Sequence, residues 1–182
     1  THLADSSFSR AIDLNPGDPW PYYRLGRLRS AADPGSAREL LEAAVELDPG
    51  YSSAWQELAF VYETLDMMPA AASALERCIE IAPEAWLMGE LGYVNEVMGE
   101  YDEAAAAFQG SVDMDDQYLY GWQRRGEVFL VQGDSLAAAE WYRLALGTLN
   151  RDDPWISSRL GTLMAAAGEP DSAVIFFQCS KG

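Results

Sequence analysis

Residues 54–65 read AWQELAFVYETL, and the spacing within this stretch decides the fold. Trp55, Leu58, Ala59 and Tyr62 follow one another at offsets of three, one and three, the rhythm that places side chains on one face of an α-helix. A small residue at the centre of such a stripe lets a second helix approach closely.

The motif recurs. Leu25-Gly26, Leu58-Ala59, Leu91-Gly92, Arg125-Gly126 and Leu160-Gly161 stand at intervals of 33, 33, 34 and 35 residues. A second register, Ala37, Ala71, Ala104, Ala138 and Ala173, keeps nearly the same period. Four residues after each of these alanines comes a large apolar side chain: Leu41, Leu75, Phe108, Tyr142 or Phe177. Each repeat therefore holds two amphipathic helices, with turns predicted at the DPGS, DMMP, GEYD, GDS and GEPD segments.

The order aromatic, Leu-Gly, aromatic, Ala, Phe, Ala, Pro at this period resembles the tetratricopeptide repeat, a helix-turn-helix unit of about 34 residues. The fullest copy runs from Ser52 to Pro83 through Trp55, Leu58, Ala59, Tyr62, Ala71, Leu75 and Cys78. Gly161, Ala173 and Phe177 anchor the last copy, while Ala4, Phe8, Ala11 and Pro16 read as the second helix of a copy without its first. The resemblance implies an all-α fold, a right-handed superhelical α-solenoid of about five and a half repeats. The expected boundaries are 1–17 for the half-repeat, then 18–50, 51–84, 85–118, 119–153 and 154–182.

Three departures from the pattern carry information. Asn95 stands where the second aromatic is usual, the closing Pro is missing after Asp116 and after Leu149, and Arg125 replaces Leu at a core position. A buried Arg needs a partner. The expectation is that Arg125 lays its stem on the core and turns its head to solvent. Gly92 and Ala104 fall where paired helices touch, so a large side chain at either overpacks the contact.

Composition bounds the function. A hydrophobic fraction of 49% fits a chain that folds, and 12 basic against 29 acidic residues leave a net charge of −17. That balance repels phosphate backbones and anionic headgroups, so no nucleic acid and no direct membrane insertion is expected. No run approaches the ~18 uninterrupted apolar residues of a membrane helix, and the opening THLADSSFSR lacks the form of a signal peptide. A soluble chain of cytoplasmic or periplasmic residence is expected, and Cys78 and Cys179 read as small buried side chains.

Chemistry-bearing constellations are missing from the pattern. The one histidine is His2, so no Ser or Cys has a histidine base beside it in the sequence, and neither an enzyme nor a cofactor is expected. Asp113, Asp115, Asp116, Asp152 and Asp153 lack the spacing of a calcium loop and read as caps of the next helix. The glycines of LGTLMAAAG and MGELGYVNEVMG sit at packing and turn positions and follow no strand.

The resemblance implies instead a partner-binding groove lined by the first helix of each pair. Carried onto this sequence, the ligand-facing positions are Tyr23, Arg24 and Arg27; Gln56, Glu57, Phe60 and Glu63; Trp86, Glu90, Tyr93 and Glu96; Tyr120, Gln123, Arg124 and Glu127; and Trp155 and Arg159. The stripe is aromatic throughout, acidic in its middle and basic toward both ends. It suits a peptide or helical segment of another protein with apolar anchors and a basic residue. One branch of the family clamps a terminal carboxylate with Lys and Asn; the equivalent pairs here, Tyr23 and Arg27, Gln56 and Phe60, Gly89 and Tyr93, do not form that clamp.

Two further roles stay open. The chain begins midway through a repeat, and it ends on SAVIFFQCSKG, with Val174, Ile175, Phe176 and Phe177 uncapped. It reads either as a fragment of a longer array or as a unit whose open ends pack on a partner or on another copy. The alternatives to the groove are thus a structural subunit of a larger, membrane-associated assembly and the regulatory array of a longer enzyme.

Overall fold

The computed structural model describes residues 2–149 and 153–168, with side chains from residue 5 onward. Ala173, Phe177, Cys179, Asp152 and the apolar end at Val174–Phe177 lie outside the described residues. Ten helices and no strand occur among the described residues. The chain divides into two compact units, Thr1–Pro83 and Glu84–Gly182.

The first unit contains α1 (His2–Leu14), α2 (Pro19–Arg29), α3 (Pro34–Leu47), α4 (Ser52–Thr64) and α5 (Met68–Ile81), each packed on the helix before it. The second contains α6 (Ala85–Met98), α7 (Tyr101–Met114), α8 (Leu119–Val131), α9 (Ser135–Thr148) and α10 (Pro154–Ala166). These also pack in chain order, and α6 additionally touches α8.

Local chemistry starts several of these helices. Asp18, Asp33, Asp134 and Asp153 are N-caps whose carboxylates accept from the backbone N–H of Trp20, Ser36, Ala137 and Ile156 at 3.0, 3.1, 2.9 and 2.8 Å. Pro follows immediately at α2, α3 and α10, where its missing N–H costs nothing. The turns after α4, α6, α8 and α10 each use one left-handed residue: Asp66, Gly99, Gly133 and Gly168, at intervals of 33, 34 and 35 residues. Glycine enters that conformation without the steric cost a Cβ brings.

The alanine register is the seam of the pairs. Ala37, Ala71, Ala104 and Ala138 are fully buried, as are Leu41, Phe108 and Tyr142. A Cβ on Gly26 would stand 2.7 Å from Leu41, one on Gly92 2.6 Å from Phe108, and one on Gly126 closer still to the Tyr142 ring. The small residue at the centre of the first-helix stripe is therefore required by the large side chain it meets.

Arg125 corrects its expectation. Its head stays against the core: the guanidinium carbon lies 4.4 Å from the ring centre of Trp141 and 5.3 Å from that of Phe129. Nε and Nη1 are buried with no hydrogen-bond partner, and burial pushes the guanidinium below its ordinary pKa while Asp113 opposes that shift. The indole face of Trp141 stacks against the flat cation and draws it toward the core.

Candidate functional site

The residues expected to line a groove fall on two faces, one in each unit. In the first unit α2 carries Tyr23, Arg24 and Arg27, and α4 carries Gln56, Glu57, Phe60 and Glu63. Phe60 is 56% exposed. Arg27 donates from Nη1 to the Tyr23 hydroxyl at 3.0 Å, and Arg24 stacks on Trp20 and Phe8, 5.2 and 5.6 Å from their ring centres. Tyr23 also lies against Tyr51, ring centres 5.0 Å apart.

Two aromatics of the opening motif are tied into the repeat. Trp55 donates from Nε1 to the Pro49 carbonyl at 3.0 Å. Tyr62 donates its hydroxyl to Glu42 at 2.9 Å, and burial with that carboxylate pushes its pKa up to about 12.

In the second unit the first helices α6, α8 and α10 are linked side by side through their polar groups. Arg124 of α8 donates from Nη2 to Glu96 of α6 at 2.6 Å. Arg159 of α10 reaches Glu127 of α8 with two nitrogens, Nε and Nη2, each 3.0 Å from a carboxylate oxygen. The Tyr142 hydroxyl donates to the same Glu127 at 3.0 Å, and Gln123 donates to Asp153 at 3.4 Å. Tyr142 is held above the usual tyrosine range, first by burial and then by Glu127.

Arg124 and Arg159 are each paired with a carboxylate, Glu96 and Glu127, while the Arg159 side chain stays 45% exposed. Glu90, on the same face, has no ion pair among the described residues, and burial raises its carboxyl above the ordinary value with no cation opposing the shift. Tyr93 lies one turn along α6, and burial and then the carboxylate's charge raise the pKa of Tyr118 and Tyr120 at the start of α8, whose ring centres are 6.2 Å apart. Trp86 and Trp155 are each 38% exposed; the first donates to Glu84 at 2.7 Å and the second packs edge-on against Tyr142 at 5.9 Å.

Tyr118 is not among the expected site residues. It precedes α8, and its hydroxyl would lie 2.8 Å from a Cβ on Gly89, so the glycine at that position is the signal that a neighbour occupies the space. The acidic run before α8 also differs from its expected role. Asp115 closes α7 and accepts from the backbone of Gln117 at 3.0 Å, and Asp113 accepts from Gln109 at 2.6 Å; the N-cap of α8 is Tyr118. Asp153 does cap α10 as expected. Among the described residues no group of three or more His, Cys, Asp and Glu is placed to hold a metal, and no helix is long and apolar enough to cross a membrane.

Two family models, each described as a tetratricopeptide repeat, match residues 52–84 and 90–154, together more than half of the chain. The chain belongs to the tetratricopeptide repeat family. The PEX5-related protein of Homo sapiens is 28% identical over 183 residues, an alignment covering 91% of this chain and 29% of that protein. The peroxisomal targeting signal receptor of Pichia angusta is 36% identical over 90 residues, covering 47% of this chain and 15% of the receptor. The chain thus spans less than a third of the length of these curated relatives.

Solved tetratricopeptide structures share the fold. A crystal structure of MamA superposes with a TM-score of 0.75 at 19% identity, covering 89% of either chain. YrrB, described as a TPR protein with an unusual peptide-binding site, gives 0.73 at 19% identity over 95% of this chain and 90% of its own.

Proposed function

We propose that this tetratricopeptide array is a non-enzymatic scaffold that binds an extended or helical segment of another protein on its first-helix faces. The observation that carries the reading is the face of α6, α8 and α10 in the second unit. Cross-helix ion pairs hold the three helices side by side, while Trp86 and Trp155 remain partly exposed on it. Exposed aromatics on a rigid polar framework are the anchors from which segment-binding surfaces draw most of their affinity. That one relative is a targeting-signal receptor and one structural neighbour has a peptide-binding site supports the same reading.

A second reading, a structural subunit that docks through its second helices, draws on Leu136 and Leu144 of α9, which are 70% and 55% exposed. One experiment separates the two. The photoreactive residue p-benzoylphenylalanine is placed at Trp86, at Trp155 or at Leu144 of the full chain, and adducts formed in lysate of the source organism are sequenced. Segment binding on the first helices gives the same partner peptide from positions 86 and 155 and none from 144. Adducts from 144 alone would overturn the groove and move the interface to the second helices.

A further inference from the structure

The three glutamates on the first-helix face of the second unit are not equivalent. Glu96 and Glu127 are each met by an arginine from the neighbouring helix. Glu90 has no ion pair among the described residues, and it stands close enough to Tyr118 and Tyr120 that, after burial, its charge raises both phenols. A half-buried carboxylate without a counter-charge costs stability in the folded protein, and it persists where something else makes use of it.

Its surroundings favour a cation from outside. Tyr93 follows Glu90 by three residues on α6 and so shares its face. Tyr118 closes over the space left by Gly89, the residue beside Glu90, and Tyr120 stands next to it with ring planes inclined at 62°. Tyr120 is itself braced edge-on by the buried Phe108, ring centres 6.0 Å apart, so the aromatic wall is fixed before any ligand arrives. Ring faces attract cations through their quadrupoles, and a carboxylate in the same recess supplies the full charge. Arg124, the basic side chain near Tyr120, is held by Glu96, and no cation acts on Glu90.

We propose that Glu90, Tyr93, Tyr118 and Tyr120 form a seat for one basic side chain, a Lys ammonium or an Arg guanidinium, of the segment bound on this face. This rests on the segment-binding reading above and deepens it: the seat sets the register of the segment, and the exposed tryptophans take its apolar side chains. Charge complementarity selects the occupant. An acidic or neutral side chain would leave Glu90 desolvated and unmatched, whereas a cation restores the ionised form that burial disfavours.

The test uses small cations that carry the two chemistries, n-butylammonium and n-butylguanidinium, titrated into the full chain while the ring resonances of Tyr93, Tyr118 and Tyr120 are followed by NMR. The expected result is a saturable shift with at least one of them, weakened about tenfold or more in Glu90→Gln, which keeps the shape and removes the charge. Tyr118→Leu weakens it several-fold, with the remaining spectrum of α6 and α8 unchanged as a check on folding. Linear shifts matched by sodium chloride at equal ionic strength, or equal affinity in Glu90→Gln, would overturn the seat. Adducts from positions 86 and 155 without cation binding would leave segment binding standing and remove the seat; cation binding without those adducts would do the reverse.

Discussion

Arg125 occupies a position that Leu25, Leu58, Leu91 and Leu160 fill in the other copies, and it brings two buried nitrogens without acceptors. Its compensation is the stack on Trp141, an interaction of about 0.5–2 kcal/mol, set against about 1–3 kcal/mol for leaving a buried polar group unsatisfied. The balance favours the family residue. Arg125→Leu is expected to stabilise the chain by about 1 kcal/mol, seen as a higher thermal midpoint at neutral pH. A lower midpoint would show that the stack outweighs the desolvation. The position was legible from the repeat register, and the direction of the side chain was not. Register follows from steric demands that recur from repeat to repeat, as at Gly26 against Leu41 and Gly92 against Phe108. The choice between solvent and a tryptophan face depends on Trp141, which lies on another helix.

Between elements, the cross-links Glu96–Arg124 and Glu127–Arg159 join the first helices of the second unit at 2.6 and 3.0 Å. The sequence places all four residues on the expected face, yet it reads them as part of a stripe, acidic in its middle and basic toward both ends, open to a ligand. Pairing was hidden because partners 28 and 32 residues apart meet only when consecutive helix pairs stack. Glu96 is 17% exposed and Arg124 31%, so this pair is shielded more than an ordinary surface pair. Glu96→Gln is expected to cost about 1–2 kcal/mol, since it leaves Arg124 partly desolvated and unmatched. The double variant with Arg124→Gln is expected to recover part of that loss, giving a coupling of about 0.5–1.5 kcal/mol in a denaturant-unfolding cycle. Strict additivity would mean that the pair does not hold α6 to α8.

At the scale of the whole molecule, 29 acidic residues against 12 basic ones give a net charge of −17, and five ion pairs are found among the described residues. Salt acts on these two features in opposite directions. It weakens the pairs, most of which are exposed enough to contribute no more than about 1 kcal/mol each, and it screens the mutual repulsion of the unpaired carboxylates. Repulsion outweighs the pairs, because it is summed over many unpaired acids and compaction brings them closer. The thermal midpoint is therefore expected to rise by several °C between about 20 mM and about 300 mM sodium chloride, where the Debye length falls below ~10 Å, and then to level off. Acid should act in the same sense. Glu90 has a raised carboxyl pKa, so the folded chain takes up its proton before the unfolded chain does. Its contribution to stability is absent well above the raised value, grows as pH falls through it, and is complete below the unfolded value. Lowering the pH from neutral toward the ordinary carboxylate range should consequently raise the midpoint in low salt and shrink the effect of added salt. A midpoint that falls as salt is added would show that local ion pairs, rather than the excess of acid, set the stability of the chain.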